Sequence, residues 1–211
     1  SYALTDPIFL NEALDVLDNA LSRYPDGFFR QLPFGTVETI RFEVVGALYA
    51  REGVTDYQNS VGAFAQHRDN YYGIVLDGFS LVERTIYHEV SHIIDKKLAW
   101  DAQIRADALF SEERWMDLQP DGFQYVESYV DMPEEALAYA GSGYFIRDYS
   151  MTFPTEDRAD VLASAIALED WVFEPGSGLR AKLEFYAACI RDCFYTEDWP
   201  DVVCWEQVLK D

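Results

Sequence analysis

The stretch Thr85-Ile-Tyr-His88-Glu89-Val-Ser-His92-Ile-Ile-Asp95 holds two of the chain's three histidines. On a helix, positions i and i+4 share one face, with Cβ atoms about 5–6 Å apart. His88 and His92 can therefore aim an imidazole nitrogen at one ion. Glu89 is rotated by one residue, beside such an ion rather than on it, where it can accept a proton from a metal-activated water. The competing reading is an ordinary buried helix with two satisfied histidines and an exposed glutamate. A catalytic zinc takes three protein ligands and keeps a fourth position for water, so the third ligand decides between them.

The flanking sequence suits a helix packed behind a sheet. Residues 36–49 are rich in β-branched and aromatic types and predict a strand. Residues 62–78 predict a strand pair turning at "HRDN", with "YYGIVLD" (71–77) as the better strand. Residues 80–100 predict a long helix: Ser80 as N-cap, Glu83 as its capping-box partner, and Leu81, Ile86, Val90, Ile93, Ile94 and Leu98 as its apolar positions. Upstream, Asp6 and Pro7 open a helix that Pro25 and Gly27 interrupt, and "DGFFRQLP" makes a short second helix or turn. Residues 99–153 form a meandering, partly helical insert. "PTEDRADVLASAIALEDWVF" (154–173), with Thr155 as cap, and "LRAKLEFYAACIRDCFY" (179–195) predict further helices.

The helix from Pro154 offers the third ligand. Glu156 and Asp160 lie four apart, on one face with Ala159 and Ala163, whose small side chains permit close helix packing. Glu156 is assigned as ligand, and Asp160 as the acceptor for the free N–H of a ligating histidine, which fixes its tautomer. Asp160 as ligand is the alternative. A first-turn glutamate also simply favours the helix dipole, a role that Asp157 could fill equally. His67 sits upstream in the expected hairpin turn, and Arg158 lies off the ligand face, where surface acids would pair with it.

His88-Glu89-x-x-His92 followed by Glu156-x-x-Ala159-Asp160-x-x-Ala163 resembles the gluzincin pattern of zinc metallopeptidases. "HEVSHIID" and "FPTEDRADVLA" are similar to a group of zinc-binding metallopeptidases of bacteria. Tyr149 stands seven residues before Glu156, as a tyrosine does in the lethal-factor-like and Pro-Pro endopeptidase group. The resemblance spans residues 86–163, with a longer separation between the two motifs than in shorter gluzincins. It implies a zincin-like α+β fold, mostly helical with a small N-terminal mixed sheet, and Zn2+ as cofactor. It implies hydrolysis of a peptide or protein substrate with Glu89 as general base and Tyr149 as oxyanion donor, Tyr144 being the fallback. Zincin architecture also suggests residues 71–77 as the sheet edge along which an extended peptide lies. The alternatives are a catalytically weak binding or scaffold protein on the same fold, and an intracellular regulatory peptidase of the phage-antirepressor type.

Bulk properties bound these readings. The 211 residues are 49% hydrophobic and 16% aromatic, enough for a packed core. They predict one domain: helix and sheet (1–79), motif helix (80–98), insert (99–153), and third-ligand and C-terminal helices (154–211). A net charge of −22 argues against nucleic-acid and anionic-membrane partners, and no apolar run reaches the roughly 20 residues of a membrane span. The chain opens at Ser1 without a Met; the expectation is a removed secretion signal or lipid anchor, hence a secreted or surface location. The odd count of three cysteines rules out a complete disulfide framework. Three partly buried thiols are expected, or a Cys193–Cys204 bridge if the protein is exported.

Overall fold

The computed structural model describes residues 6–49, 61–129 and 132–210, and its architecture is α+β. Helix α1 (Pro7–Leu21) begins as its sequence dictates: Asp6 Oδ1 accepts the Ile8 amide at 2.9 Å, and Pro7, which lacks an N–H to satisfy, occupies the first turn. The single turn α2 (Phe28–Gln31) follows Gly27, whose φ of +78° suits a residue without Cβ.

Three strands follow among the described residues: β1 (Thr39–Val45), β2 (Ala63–Arg68) and β3 (Tyr71–Asp77), in the order β1-β3-β2. The strand β1 runs parallel to β3, with Thr39 opposite Tyr71; β2 runs antiparallel to it, with Arg68 opposite Tyr71, so the hairpin turns at residues 69–70 as its sequence suggested. Central position explains why β3 is buried at nearly every residue rather than at alternate ones. It also corrects the expectation that residues 71–77 form an edge: both sides of β3 are paired, and among the described residues β2 is the edge beside α3.

Helix α3 (Glu83–Ile104) carries the histidine motif. Ser80 is not its N-cap. The Asp77 carboxylate accepts the Phe79 and Ser80 amides and closes a turn there, while Glu83 accepts the Tyr87 hydroxyl instead of reaching back. The helix therefore starts at Glu83, behind Val82, with no side-chain cap. Ile86, Tyr87, Val90, Ile93, Ile94 and Leu98 fill the core.

The end of α3 runs into the expected insert as far as Ile104, and beyond it the described residues form the short helices α4 (Glu112–Met116) and α5 (Glu134–Leu137) and a 3-10 turn, Asp148–Met151. Helix α6 (Pro154–Ile166) lies along α3 and is buried from Glu156 through Ile166. It is capped by Phe153, with Pro154 at its first position, not by Thr155. It ends seven residues before the sequence suggested: Leu168 turns to φ +60°, and a 3-10 turn covers Asp170–Val172. Helix α7 (Gly178–Cys193) starts on a Ser177 cap. The segment after it folds back on α2: Phe194 stacks on Phe28 at 5.2 Å, and Trp199 and Trp205 pack about the same ring. Each such aromatic pair adds about 0.5–1.5 kcal/mol beyond its burial. All three cysteines are free thiols, so no Cys193–Cys204 bridge forms. No described helix is long and apolar enough to cross a membrane.

Candidate metal centre

Helices α3 and α6 bring together residues 64 and more positions apart in the chain. His88 and His92 project from consecutive turns of α3, their rings edge to face at 4.7 Å between centroids. Glu156 projects from the first turn of α6 between them. His88 Nε2 lies 3.1 Å from Glu156 Oε2 and 3.1 Å from His92 Nε2, and His92 Nε2 lies 3.3 Å from Glu156 Oε2. The three donor atoms thus outline a nearly equilateral triangle.

Its edges test whether an ion fits. Donors held about 2.0–2.1 Å from a tetrahedral zinc stand roughly 3.3 Å from one another. The observed edges match one face of that tetrahedron within a few tenths of an ångström. Two imidazoles and one carboxylate also suit zinc by chemistry. Two facing imidazole nitrogens are a poor pair by themselves, since only a proton on one of them makes a bond. With protein partners alone, burial disfavours His88 protonation, but hydrogen bonding to Asp160 and Glu156 outweighs it and raises the imidazole to about 9. Burial likewise opposes Glu156 ionisation, and bonds from both histidines reverse that, holding its carboxyl at about 2.

Asp160 does not join the triangle. One turn along α6, its Oδ1 accepts His88 Nδ1–H at 3.1 Å, leaving Nε2 free to face the other donors. The same carboxylate accepts Arg147 Nε and Nη2, each at 2.8 Å, and the Ser150 hydroxyl at 2.8 Å. These bonds keep Asp160 ionised, well below the usual carboxylate range despite its burial. The second Glu156 oxygen accepts the Tyr129 hydroxyl at 2.9 Å. Burial and that carboxylate push the Tyr129 phenol up to about 12.

A cleft of about 510 Å³ opens on this centre, lined by Gly62, Ala63, Arg84, His88, Glu89, Arg147 and Tyr149 among others. Glu89 is 7% exposed; burial raises its carboxyl above the ordinary value, while His92 and His88 pull it down. Tyr149 is 38% exposed, its ring centroid 6.3 Å from that of His88, and burial with nearby Glu156 keeps the phenol protonated. Tyr144 is elsewhere, packed on Gly178 and joined to the small cluster of Phe123, Phe145 and Met151. His67 packs on Tyr72 in a tilted pair, 4.9 Å between ring centroids, and is not one of the converging donors.

Arg158 is the main surprise. The side chain is fully buried, bonding Asp95 on α3 and Glu112 on α4, with 2.9 Å contacts to both Glu112 oxygens. It therefore meets one surface acid, the exposed Glu112, as expected, and also clamps α6 to α3 through the buried Asp95. Asp157 turns toward Lys182 and Tyr125. Arg84, Arg147, Ser150 and Tyr129 escaped sequence reading. Arg84 carried a signal, since it precedes His88 by one helical turn; Tyr129 lies in a segment with no periodicity to mark it.

No family model, curated protein or solved structure matches this chain.

Proposed function

We propose that the chain is a zinc metallopeptidase of gluzincin type on a zincin-like fold, hydrolysing peptide bonds within a peptide or protein substrate. The observation that carries this reading is the donor triangle of His88, His92 and Glu156, with edges of 3.1–3.3 Å. His88, His92 and Glu156 would hold the ion. A bound zinc would supply Lewis acidity toward the scissile carbonyl and make water acidic enough to act near neutral pH.

The remaining tasks fall to the protein. Glu89, buried at the cleft wall with an elevated pKa, is the base that takes a proton from the attacking water and returns it to the leaving amine. Tyr149, kept protonated and facing the same cleft, is positioned to donate to the oxygen on which negative charge develops. Asp160 orients His88, and Tyr129 orients Glu156. The start of β2, rather than β3, adjoins the cleft and is the edge available to an extended substrate.

Elemental analysis of the purified protein and mass-spectrometric digestion of a peptide library test the reading. Stoichiometric zinc and library cleavage are expected, with cleavage lost in Glu89→Gln at full zinc content. A protein that binds zinc yet cleaves nothing would instead be a binding or scaffold protein. A protein that binds no divalent ion overturns the proposal.

A further inference from the structure

The cleft beside the donor triangle is furnished with cationic groups, although the chain as a whole carries a net charge of −22. Arg84 lies one turn before His88 on the same face of α3. It makes one hydrogen bond, from Nη2 to Ser164 Oγ at 3.0 Å; its contacts with Asp160 and Glu169 are looser ion pairs, each at 3.6 Å. A guanidinium has five N–H donors, so most of those on Arg84 bond no described residue. Arg147 spends Nε and Nη2 on Asp160, and its Nη1 bonds no described residue. The arginine stays in place because Asp160 grips it in a fork and the Tyr149 ring lies 5.0 Å below it. Arg84 belongs to the N-terminus of α3, a 22-residue helix whose Val82 cap offers no side-chain acceptor; the Thr85 amide bonds the Val82 carbonyl at 3.0 Å, and the Glu83 and Arg84 amides bond no described residue. Val82, Arg84 and Thr85 all line the cleft. Uncapped amides at such a terminus favour an anion.

The charge tally points the same way. Glu89, Glu156, Asp160 and Glu169 would be balanced by the two guanidiniums together with a divalent ion held by His88, His92 and Glu156. A neutral recess with spare N–H donors is the place on this acidic molecule where a substrate carboxylate meets least repulsion and finds partners. An Arg held by an acid only to neutralise it would not need a second guanidinium over the same carboxylate.

We infer that this protein selects peptides carrying a carboxylate within a residue or two of the scissile bond, held by Arg84, Arg147 and the unbonded Glu83 and Arg84 amides of α3. The inference rests on the peptidase reading and narrows it to acidic sites or to bonds near a free C-terminus. Even one charge-assisted contact of this kind discriminates by about 10–100-fold.

The test uses alanine–glycine octapeptides with a single Asp stepped along the chain, each paired with its Asn counterpart, and each made with a free or an amidated C-terminus. The kcat/KM of the zinc-loaded enzyme is measured for every pair, and Kd is measured by fluorescence anisotropy on the Glu89→Gln protein. One Asp position is expected to exceed its Asn partner at least about tenfold in one or both readouts. A preference that follows only the free chain end identifies the terminal carboxylate as the group recognised. Arg84→Gln should collapse the ratio to near unity, Arg84→Lys should retain part of it, and Arg84→Glu should shift selection toward peptides with Lys at that position. Cleavage without any acid-over-amide or acid-end preference overturns the inference and leaves the peptidase reading intact. Discrimination in binding with no cleavage of any peptide does the reverse. Equal binding of all pairs in a protein that cleaves none removes both.

Discussion

Lys182→Met probes how α6 is oriented, without touching the donor triangle. Lys182 Nζ is fully buried, 2.7 Å from Asp157 Oδ2 and 2.6 Å from the Tyr144 carbonyl, and it sits 4.0 Å from the Phe145 ring centroid. Methionine keeps nearly the same length and packing while deleting the charge. Asp157 would then retain only the Tyr125 hydroxyl at 2.6 Å, its Oδ1 already lacking a partner. Stranding one member of a buried pair costs about 3–5 kcal/mol, a large share of the roughly 5–15 kcal/mol that holds a domain together. Replacing both members by apolar residues is often nearly neutral. Lys182→Met with Asp157→Leu should therefore recover most of the loss, short of about 1–3 kcal/mol for the acceptor Tyr125 loses. The pH dependence has a definite sign. Burial raises the Asp157 carboxyl above its ordinary value even with Lys182 opposing that rise, and without the lysine it rises further. A group with a raised folded pKa gives stability that is present at low pH and lost as pH increases. The deficit of Lys182→Met relative to the parent should thus shrink on acidification from pH 7 toward pH 4. Urea unfolding followed by circular dichroism across that range measures all three quantities. A double variant as unstable as the sum of the singles would show that the pair is not coupled and would refute the account.

Asp160→Asn can keep one oxygen facing His88 Nδ1 and Arg147 Nη2, but its amide nitrogen then opposes Arg147 Nε and the charge is lost, and it should weaken zinc binding about 10–100-fold in a chelator competition. Gly178→Ala places a Cβ 2.2 Å from the Tyr144 ring and should lower stability by about 1–3 kcal/mol in a denaturant titration. Burial pushes the Cys193 thiol up to about 11, and those of Cys189 and Cys204 up to about 12. At pH 8 about one Cys193 thiol in a thousand is ionised, against roughly a quarter of free cysteines. Iodoacetamide labelling of the folded protein should be correspondingly slow, rising near tenfold per pH unit up to pH 10.

Sequence reasoning reached the elements whose periodicity is strong. The α1 cap, the β2–β3 hairpin, the long α3 and the approach of α6 were legible because each depends on a local pattern. Fine boundaries were not. Ser80 and Glu83 satisfy a capping-box pattern, yet Asp77 from the preceding strand captures the same amides, a competition that spacing does not reveal. The strand "YYGIVLD" looked suited to an edge, but a parallel partner thirty residues upstream covers it, and pairing across that distance leaves no local mark. Glu156 and Asp160 were legible as two acids on one face with small residues between. The pairing of Arg158 with a surface acid, Glu112, was legible, but its full burial and its second partner Asp95 were not, because a helical wheel does not show that α4 lies behind α6.

Four charged side chains, Glu156, Asp157, Arg158 and Asp160, leave α6 on three faces, Glu156 and Asp160 sharing one, and each meets a buried counterpart: His88 for Glu156 and Asp160, Lys182 for Asp157 and Asp95 for Arg158. Such a rod cannot roll about its axis or slide by a residue without breaking several of these couples at once. Nor can it dock halfway, because an intermediate would hold unpaired ions away from water. Insertion of this segment is therefore expected to be an all-or-nothing event late in folding, with the donor groups already set at their final angles when a cation first arrives.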